Sequence, residues 1–216
     1  MSARRAFVTG GSGFIGSAIV RALLSEGTEV RALVRASSPR DNLDRLPVDL
    51  VEGDLADREA LGRGLEGCDE AYHCAALYSF RSRGAEEFLR SNVEGSTNVV
   101  RAAQEAGVSR IVYTSSVATV KPIPGRSADE GSEAKAADAP GHYKRSKIVA
   151  EQELLRLARE EGAPIVVVNP SAPVGPRDIK PTPTGRMIVD FLTGKMPAYV
   201  DTGLNIVDVD DCARGH

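Results

Sequence analysis

The sequence lacks a dominant charge: its 216 residues set 27 Lys and Arg against 30 Asp and Glu, for a net charge of −3. That balance excludes the basic footprint needed to wrap a phosphate backbone or coat an anionic membrane, so no nucleic-acid partner is expected. A long apolar run is missing too. Stretches such as Ile165 to Val168 are far too short to cross a bilayer, and no extended apolar core follows the Arg4-Arg5 pair. A cytoplasmic protein with no membrane span is therefore expected. Cysteine is scarce: Cys68, Cys74 and Cys212 are scattered without metal-ligand spacing, which predicts reduced, packed thiols and neither a disulfide framework nor a metal centre. Internal repeats and low-complexity tracts are absent, and 42% apolar content excludes disorder.

What is present is an alternation. Apolar stretches predict strands at Arg5 to Thr9, Glu29 to Val34, Val48 to Glu52, Glu70 to Cys74, Arg110 to Thr114 and Pro164 to Val168. Helical spacing follows the first strand at Ala18, Ile19, Ala22, Leu23 and Leu24, and recurs over Arg58 to Leu65, Ala85 to Ala106 and Tyr143 to Glu161. Strand residues that do not alternate with polar ones, as in Ile165-Val166-Val167-Val168, predict burial on both faces. The fold class is thus α/β, a doubly wound parallel sheet covered by helices. The polar stretch Lys121 to Gly141 is expected to be a surface excursion. After Asn169-Pro170 the pattern weakens through Pro173, Pro176, Pro181 and Pro183, with a helix near Gly185 to Thr193. Residues 1–168 are accordingly read as a dinucleotide-binding domain and 169–216 as part of a substrate-binding region. That second region is expected to consist of substrate-facing loops rather than another βα unit.

The first strand runs into Gly10-Gly11-Ser12-Gly13-Phe14-Ile15-Gly16. In a Gly-x-x-Gly-x-x-Gly turn the first glycine permits the bend, the second lets a diphosphate reach the backbone, and the third allows the helix to pack close to the strand. Free amides at the helix start then face the anion, and the helix dipole adds to the attraction. A glycine triplet also closes βα turns that bind nothing; its place between a strand and a helix is what favours a dinucleotide. At the end of the second strand stands Val34-Arg35-Ala36-Ser37-Ser38, with a cation and no acid. NAD sites usually place an acid there for the ribose hydroxyls, whereas a cation suits the 2′-phosphate, so NADP(H) is favoured with NAD(H) possible. A solvated surface arginine is the alternative. Asp54, after the third strand, is either an acceptor for the adenine amino group or a helix cap.

Tyr143 and Lys147 stand at i and i+4, so on a helix they share a face. A cation beside a phenol lowers its pKa toward a value useful for proton exchange, which makes the pair a candidate acid/base. Thr114-Ser115-Ser116 falls at the carboxyl end of the fifth strand, the edge where ligands bind in such sheets. Ser116 could donate to a substrate oxygen; capping of the loop backbone is the other use of such hydroxyls.

Taken together, Thr9 to Gly16, Gly53-Asp54-Leu55, His73-Cys74-Ala75-Ala76, Asn92-Val93-Glu94-Gly95-Ser96, Thr114-Ser115-Ser116 and Tyr143-x-x-x-Lys147 resemble the extended short-chain dehydrogenase/reductases, the NAD-dependent epimerase/dehydratase family. The resemblance covers nearly the whole chain. Within the family it points to the dihydroflavonol-reductase-like branch, and the run from Asn169 to Arg186 resembles the hopanoid-associated sugar epimerases of hopanoid lipid biosynthesis.

The resemblance implies a catalytic triad of Ser116, Tyr143 and Lys147, with Lys147 also holding the nicotinamide ribose. It implies a cofactor site built from Gly10, Ser12, Gly13, Phe14, Ile15 and Gly16, from Arg35, Asp54 and Leu55, and from Ala75, Ala76, Asn92 and Thr114. Tyr143 and Lys147 complete that site together with Asn169, Pro170, Ser171 and Ala172. A reductase or an epimerase is implied, acting on a sugar-like or hydroxylated substrate; a dinucleotide sensor without turnover is a third reading, which expects Tyr143 or Lys147 to be lost. Dehydratase chemistry is disfavoured, because Val117-Ala118-Thr119 follows Ser116 where dehydratases carry an Asp-Glu pair. Extended members are considerably longer, with a carboxyl-terminal lobe, whereas this chain ends at His216 soon after a stretch in which relatives often have His in place of Asp208. Relatives often dimerise through a four-helix interface, and Phe88, Leu89, Val93, Val99, Val100, Ile148, Leu154, Leu155 and Leu157 offer apolar residues for a homodimer; core packing is the alternative.

Overall fold

The structure, a computed structural model, describes residues 3–78 and 84–216. Six parallel strands, β1 (Arg5–Thr9), β2 (Glu29–Val34), β3 (Val48–Glu52), β4 (Glu70–His73), β5 (Arg110–Thr114) and β6 (Ile165–Val168), form one sheet in the order β3-β2-β1-β4-β5-β6. Strand order reverses between β1 and β4, and the crevice beyond the carboxyl ends of those two strands is where such sheets bind ligands. The predicted strands are all present, without Cys74 and Pro164 at their ends.

Helices α1 (Phe14–Ser25), α2 (Arg58–Leu65), α3 (Ala85–Leu89), α4 (Gly95–Glu105) and α5 (His142–Glu161) are the crossovers. The expected single helix over Ala85 to Ala106 is continuous, but Arg90–Glu94 widens into a π-helical turn between α3 and α4. Successive residues of a strand point to opposite faces, so Phe7 packs with Leu61, Leu65, Val99, Ile111 and Leu154 on one side of the sheet. Ala6 and Val8 pack with Ile19, Val20, Ala32 and Val112 on the other. Each fully buried Val, Leu, Ile or Phe contributes roughly 1.5–3 kcal/mol of transfer free energy, and the central strands carry such residues on both faces.

Three expectations change. First, β6 is not covered on both faces: it is an edge strand, and Val166 is 48% exposed. Second, residues 169–216 do form a crossover unit. Strand β7 (Ala172–Val174), helix α6 (Pro183–Leu192) and β8 (Ile206–Asp208) make a parallel βαβ pair, followed by α7 (Val209–Gly215). The strands are only three residues each, too short for periodicity to announce them. Helix α7 lies against α1, and Val209 and Ala213 belong to the same core cluster as Ala6 and Val8. Phe191, Leu192, Tyr199 and Val200 present a broad apolar surface on the same unit. Third, most of the apolar residues offered for a dimer are core: Phe88, Val99, Val100, Ile148, Leu154 and Leu157 are buried within the chain, leaving Leu89, Val93 and Leu155 partly open.

Candidate active site

The glycine turn is built by close approach. Gly10 has φ +72°, and a Cβ there would lie 2.6 Å from the backbone nitrogen of Ala75, so the loop after β1 touches the loop after β4. A Cβ on Gly16 would overlap the Gly10 carbonyl oxygen, and one on Gly13 would come within 3.1 Å of the same atom. Helix α1 then starts at Gly13 with no side-chain cap and no acid in its first turn. Its first amides are open to an anion, and the residues present fit a dinucleotide diphosphate. The turn is pinned from outside by Asn42, whose Nδ2 donates to the Ser12 carbonyl at 3.2 Å and to the Arg177 carbonyl at 3.0 Å. Phe14 and Ile15 are half-buried against the core.

At the end of β2, Arg35 is exposed, and its guanidinium has no partner among the described residues. Its backbone N–H donates to Ser38 Oγ at 3.2 Å, and the Ser38 N–H returns to its carbonyl at 2.9 Å, a tight turn that holds the arginine at the sheet edge. Arg40 nearby is paired with Glu52. Asp54 is exposed, and its Oδ1 accepts from the Ala56 N–H at 3.1 Å. It thus caps a local turn, while Asp57 caps α2. Leu55 is fixed through its carbonyl, which accepts from Asn98 at 3.0 Å.

At the carboxyl end of β5, Ser116 Oγ caps the following turn by accepting from the Ala118 N–H at 3.1 Å, and its hydroxyl stands near enough to the Tyr143 phenol to favour the ionised form. Tyr143 is half-buried beneath the ring of Tyr78, 4.5 Å away between centroids. Burial pushes its pKa up to about 12, an effect partly opposed by Ser116. The lowering expected from a neighbouring cation is not found, because the Lys147 ammonium points inward. Lys147 Nζ donates to the Thr114 carbonyl at 2.7 Å and to the Tyr113 hydroxyl at 2.9 Å, and it lies over the Tyr113 ring. Sharing a helical face brings the two side chains to one site without aiming the longer one at the shorter. Burial lowers the Lys147 pKa to about 7 against the raising effect of Glu151.

Asn92, in the π-helical turn, accepts from the Leu77 N–H at 2.6 Å and donates to the Leu77 carbonyl and to Ser146 Oγ. It ties the segment carrying Ala75 and Ala76 to α5, with both of its amide hydrogens committed to protein. Asn169 Nδ2 donates to Glu151, at 2.8 Å, and to Thr119 Oγ1. Pro170 is buried and its carbonyl accepts from the Val117 N–H, while half-buried Ser171 and Ala172 lead into β7. Ser115 Oγ donates to Glu151. Sequence reasoning missed Glu151, although it continues the four-residue ladder of Tyr143 and Lys147; it also missed Tyr113 and Asn42, for which no local pattern exists. Among the described residues no group of His, Cys, Asp and Glu is placed to hold a metal, and no helix is long and apolar enough to cross a membrane.

The model of the NAD dependent epimerase/dehydratase family matches residues 6–216. The chain belongs to that family. It is 53% identical over 97% of its length to a putative dihydroflavonol 4-reductase of Synechocystis sp., covering 61% of that protein. It is 38% identical over 94% of its length to sterol demethylase protein B of Methylococcus capsulatus, covering 62% of it. Among solved structures, that of gox2253 matches with a TM-score of 0.93 and 50% identity, over 98% of this chain and 64% of that one. The chain therefore spans about three fifths of the length of the curated relatives it matches.

Proposed function

We propose that this family member binds NADP(H) in preference to NAD(H) and uses it to interconvert a carbonyl and a secondary alcohol, with Ser116, Tyr143 and Lys147 as its catalytic residues. The observation that carries this reading is the shared sheet end: an uncapped helix start stands beside Ser116 and the neighbouring Tyr143 phenol, with the Lys147 ammonium behind them. When bound, the nicotinamide supplies or accepts the hydride. Ser116 orients the substrate oxygen. Tyr143 exchanges the proton at that oxygen, and its raised pKa keeps the phenol loaded as an acid for the reductive direction. Two of the three N–H groups on Lys147 are held by protein, and the third serves the ribose hydroxyls. Arg35, exposed and unpaired, meets the 2′-phosphate.

The substrate class we favour is a hydroxylated or sugar-like compound of hopanoid lipid biosynthesis. Two things support it: the run Asn169 to Arg186, and the similarity to a protein named for sterol demethylation. A second reading, a dihydroflavonol-reductase-like carbonyl reductase, is favoured by the 53% identical relative. We further propose a cytoplasmic homodimer, supported by the groove between α4 and α5 lined by Val93, Thr97, Val149 and Gln152; a monomeric mass by light scattering at micromolar concentration would remove the dimer.

Mass spectrometry of the nucleotide carried through purification tests the reading. A tightly retained dinucleotide supports an epimerase cycle, and an empty site that takes up added NADPH supports a reductase. A protein that neither carries nor binds either dinucleotide overturns the proposal.

A further inference from the structure

The Lys147 ammonium is almost wholly buried and rests on a chain of buried polar groups that runs from α5 to the glycine turn. Lys147 Nζ donates to the Tyr113 hydroxyl at 2.9 Å, and the Ser96 side chain stands near enough to that phenol to oppose the rise in its pKa that burial causes. Ser96 Oγ donates to the Asn92 carbonyl at 2.6 Å and lies 2.8 Å from His73 Nε2. His73 Nδ1 lies 2.6 Å from Thr9 Oγ1, which itself accepts from the Ala75 N–H. The His73 and Tyr113 rings stack, with centroids 5.6 Å apart.

Counting hydrogens fixes the directions at Ser96. Its one O–H goes to the Asn92 carbonyl, since two bare oxygens at that distance would repel. Ser96 Oγ must then accept from His73 Nε2–H, which places a proton on that nitrogen. Burial and the Lys147 charge both lower the His73 pKa, to about 3, so the ring is neutral and its Nδ1 accepts from Thr9 O–H. An ammonium has no lone pair, so at Lys147 the Tyr113 oxygen is the acceptor.

We propose that Tyr113 is a positioning residue for Lys147: its hydroxyl, the acceptor beside the Thr114 carbonyl, anchors the ammonium so that the remaining N–H points to the cofactor side. This rests on the dinucleotide reading above for what that N–H meets, but the anchoring itself belongs to the protein alone. The ionisable groups facing Lys147 are Glu151 on its own helix, His73 at the end of β4 and Cys74 just after it, and Tyr113 on β5. Glu151 supports the charge, burial opposes it, and the Tyr113 lone pairs add to Glu151.

The test is Tyr113→Phe, which keeps the ring under the cation and removes only the hydroxyl. In the protein without nucleotide, the 13Cε resonance of Lys147, assigned by its disappearance in Lys147→Met, is expected to titrate about one pH unit lower than in the parent. NADPH is expected to bind about tenfold more weakly, and the basic limb of any pH–rate profile moves down with the lysine. An unchanged lysine midpoint overturns the proposal, whatever the effect on melting temperature. Should Tyr113→Phe fail to melt cooperatively, Tyr113→Met carries the same test: it fills similar space without an oxygen, and a downward shift of similar size is expected, with no shift again overturning the inference. If the parent protein binds no dinucleotide at all, the reading of function fails, while the lysine titration still decides the anchoring.

Discussion

The two halves of the crevice are made in opposite ways. Beyond β1 the half proposed to face the diphosphate is almost all backbone: Gly10, Gly13 and Gly16 remove side chains so that amides and a helix start become the surface. Beyond β4 and β5 the half proposed to handle the proton is almost all side chain: Lys147, Glu151 and Asn169 are held by one another, by buried hydroxyls and by the Thr114 carbonyl, with Ser116 and Tyr143 beside them. The first half is shaped by what it leaves out. The second depends on long side chains whose charges burial has shifted, so its cost is desolvation rather than strain.

Substitutions that damage one half and spare the other probe this contrast. The largest effect is expected from Tyr143→Phe, which should reduce turnover by on the order of a hundredfold or more while NADPH still binds in a fluorescence titration. Equal turnover in the variant would end the acid/base assignment. Gly16→Ala should do the reverse. Its methyl overlaps the Gly10 carbonyl, so the turn must open, and dinucleotide affinity should fall by a factor on the order of a hundred, equivalent to about 3 kcal/mol. Isothermal titration reads this directly, and unaltered affinity would show that the turn is not the anion site.

Arg35→Asp refines the backbone half, since Arg35 is the side chain proposed to select between the dinucleotides. NADP should weaken about tenfold more than NAD, the scale of one charge-assisted contact; equal losses would show that the guanidinium does not meet the 2′-phosphate. The smallest effect concerns the chain joining the halves. With a folded pKa lowered from 6.5 to about 3, His73 refuses a proton that the unfolded chain accepts below pH 6.5. Stability is therefore present above that value and drains away as pH falls toward the folded pKa. Urea unfolding between pH 7 and 5 should show His73→Asn with a slope shallower by up to about 1.4 kcal/mol per pH unit. An unchanged slope would mean that His73 is charged in the fold; His216, also lowered by burial, and Lys147, lowered to about 7, contribute to the slope that remains.

Much of the framework around this sheet end was legible in the sequence. The glycine turn is a local motif with a local cause, and the strand-helix alternation placed β1 to β6 within a residue or so of their observed ends. What misled was inference about direction and cover. Ile165 to Val168 is apolar enough to sit between two layers, yet Val166 is open because β6 is the sheet edge. Tyr143 and Lys147 share a face, yet the ammonium turns to Tyr113 and Thr114 because a buried cation goes where oxygens can receive it. The short strands β7 and β8 were invisible, since three residues cannot display a period.

The amino-acid sequence alone determined the sheet class, the tight glycine turn after β1 and the placing of Tyr143 and Lys147 on one face of a helix. These depend on spacing within a few turns of chain, where backbone geometry leaves few choices. Only the tertiary structure decided which way Lys147 points, that His73 is held neutral with its proton on Nε2, and that α7 closes the core over α1. Those outcomes depend on residues far apart in the chain competing for a small number of buried donors, acceptors and apolar faces, a competition settled only when all of the elements are packed together.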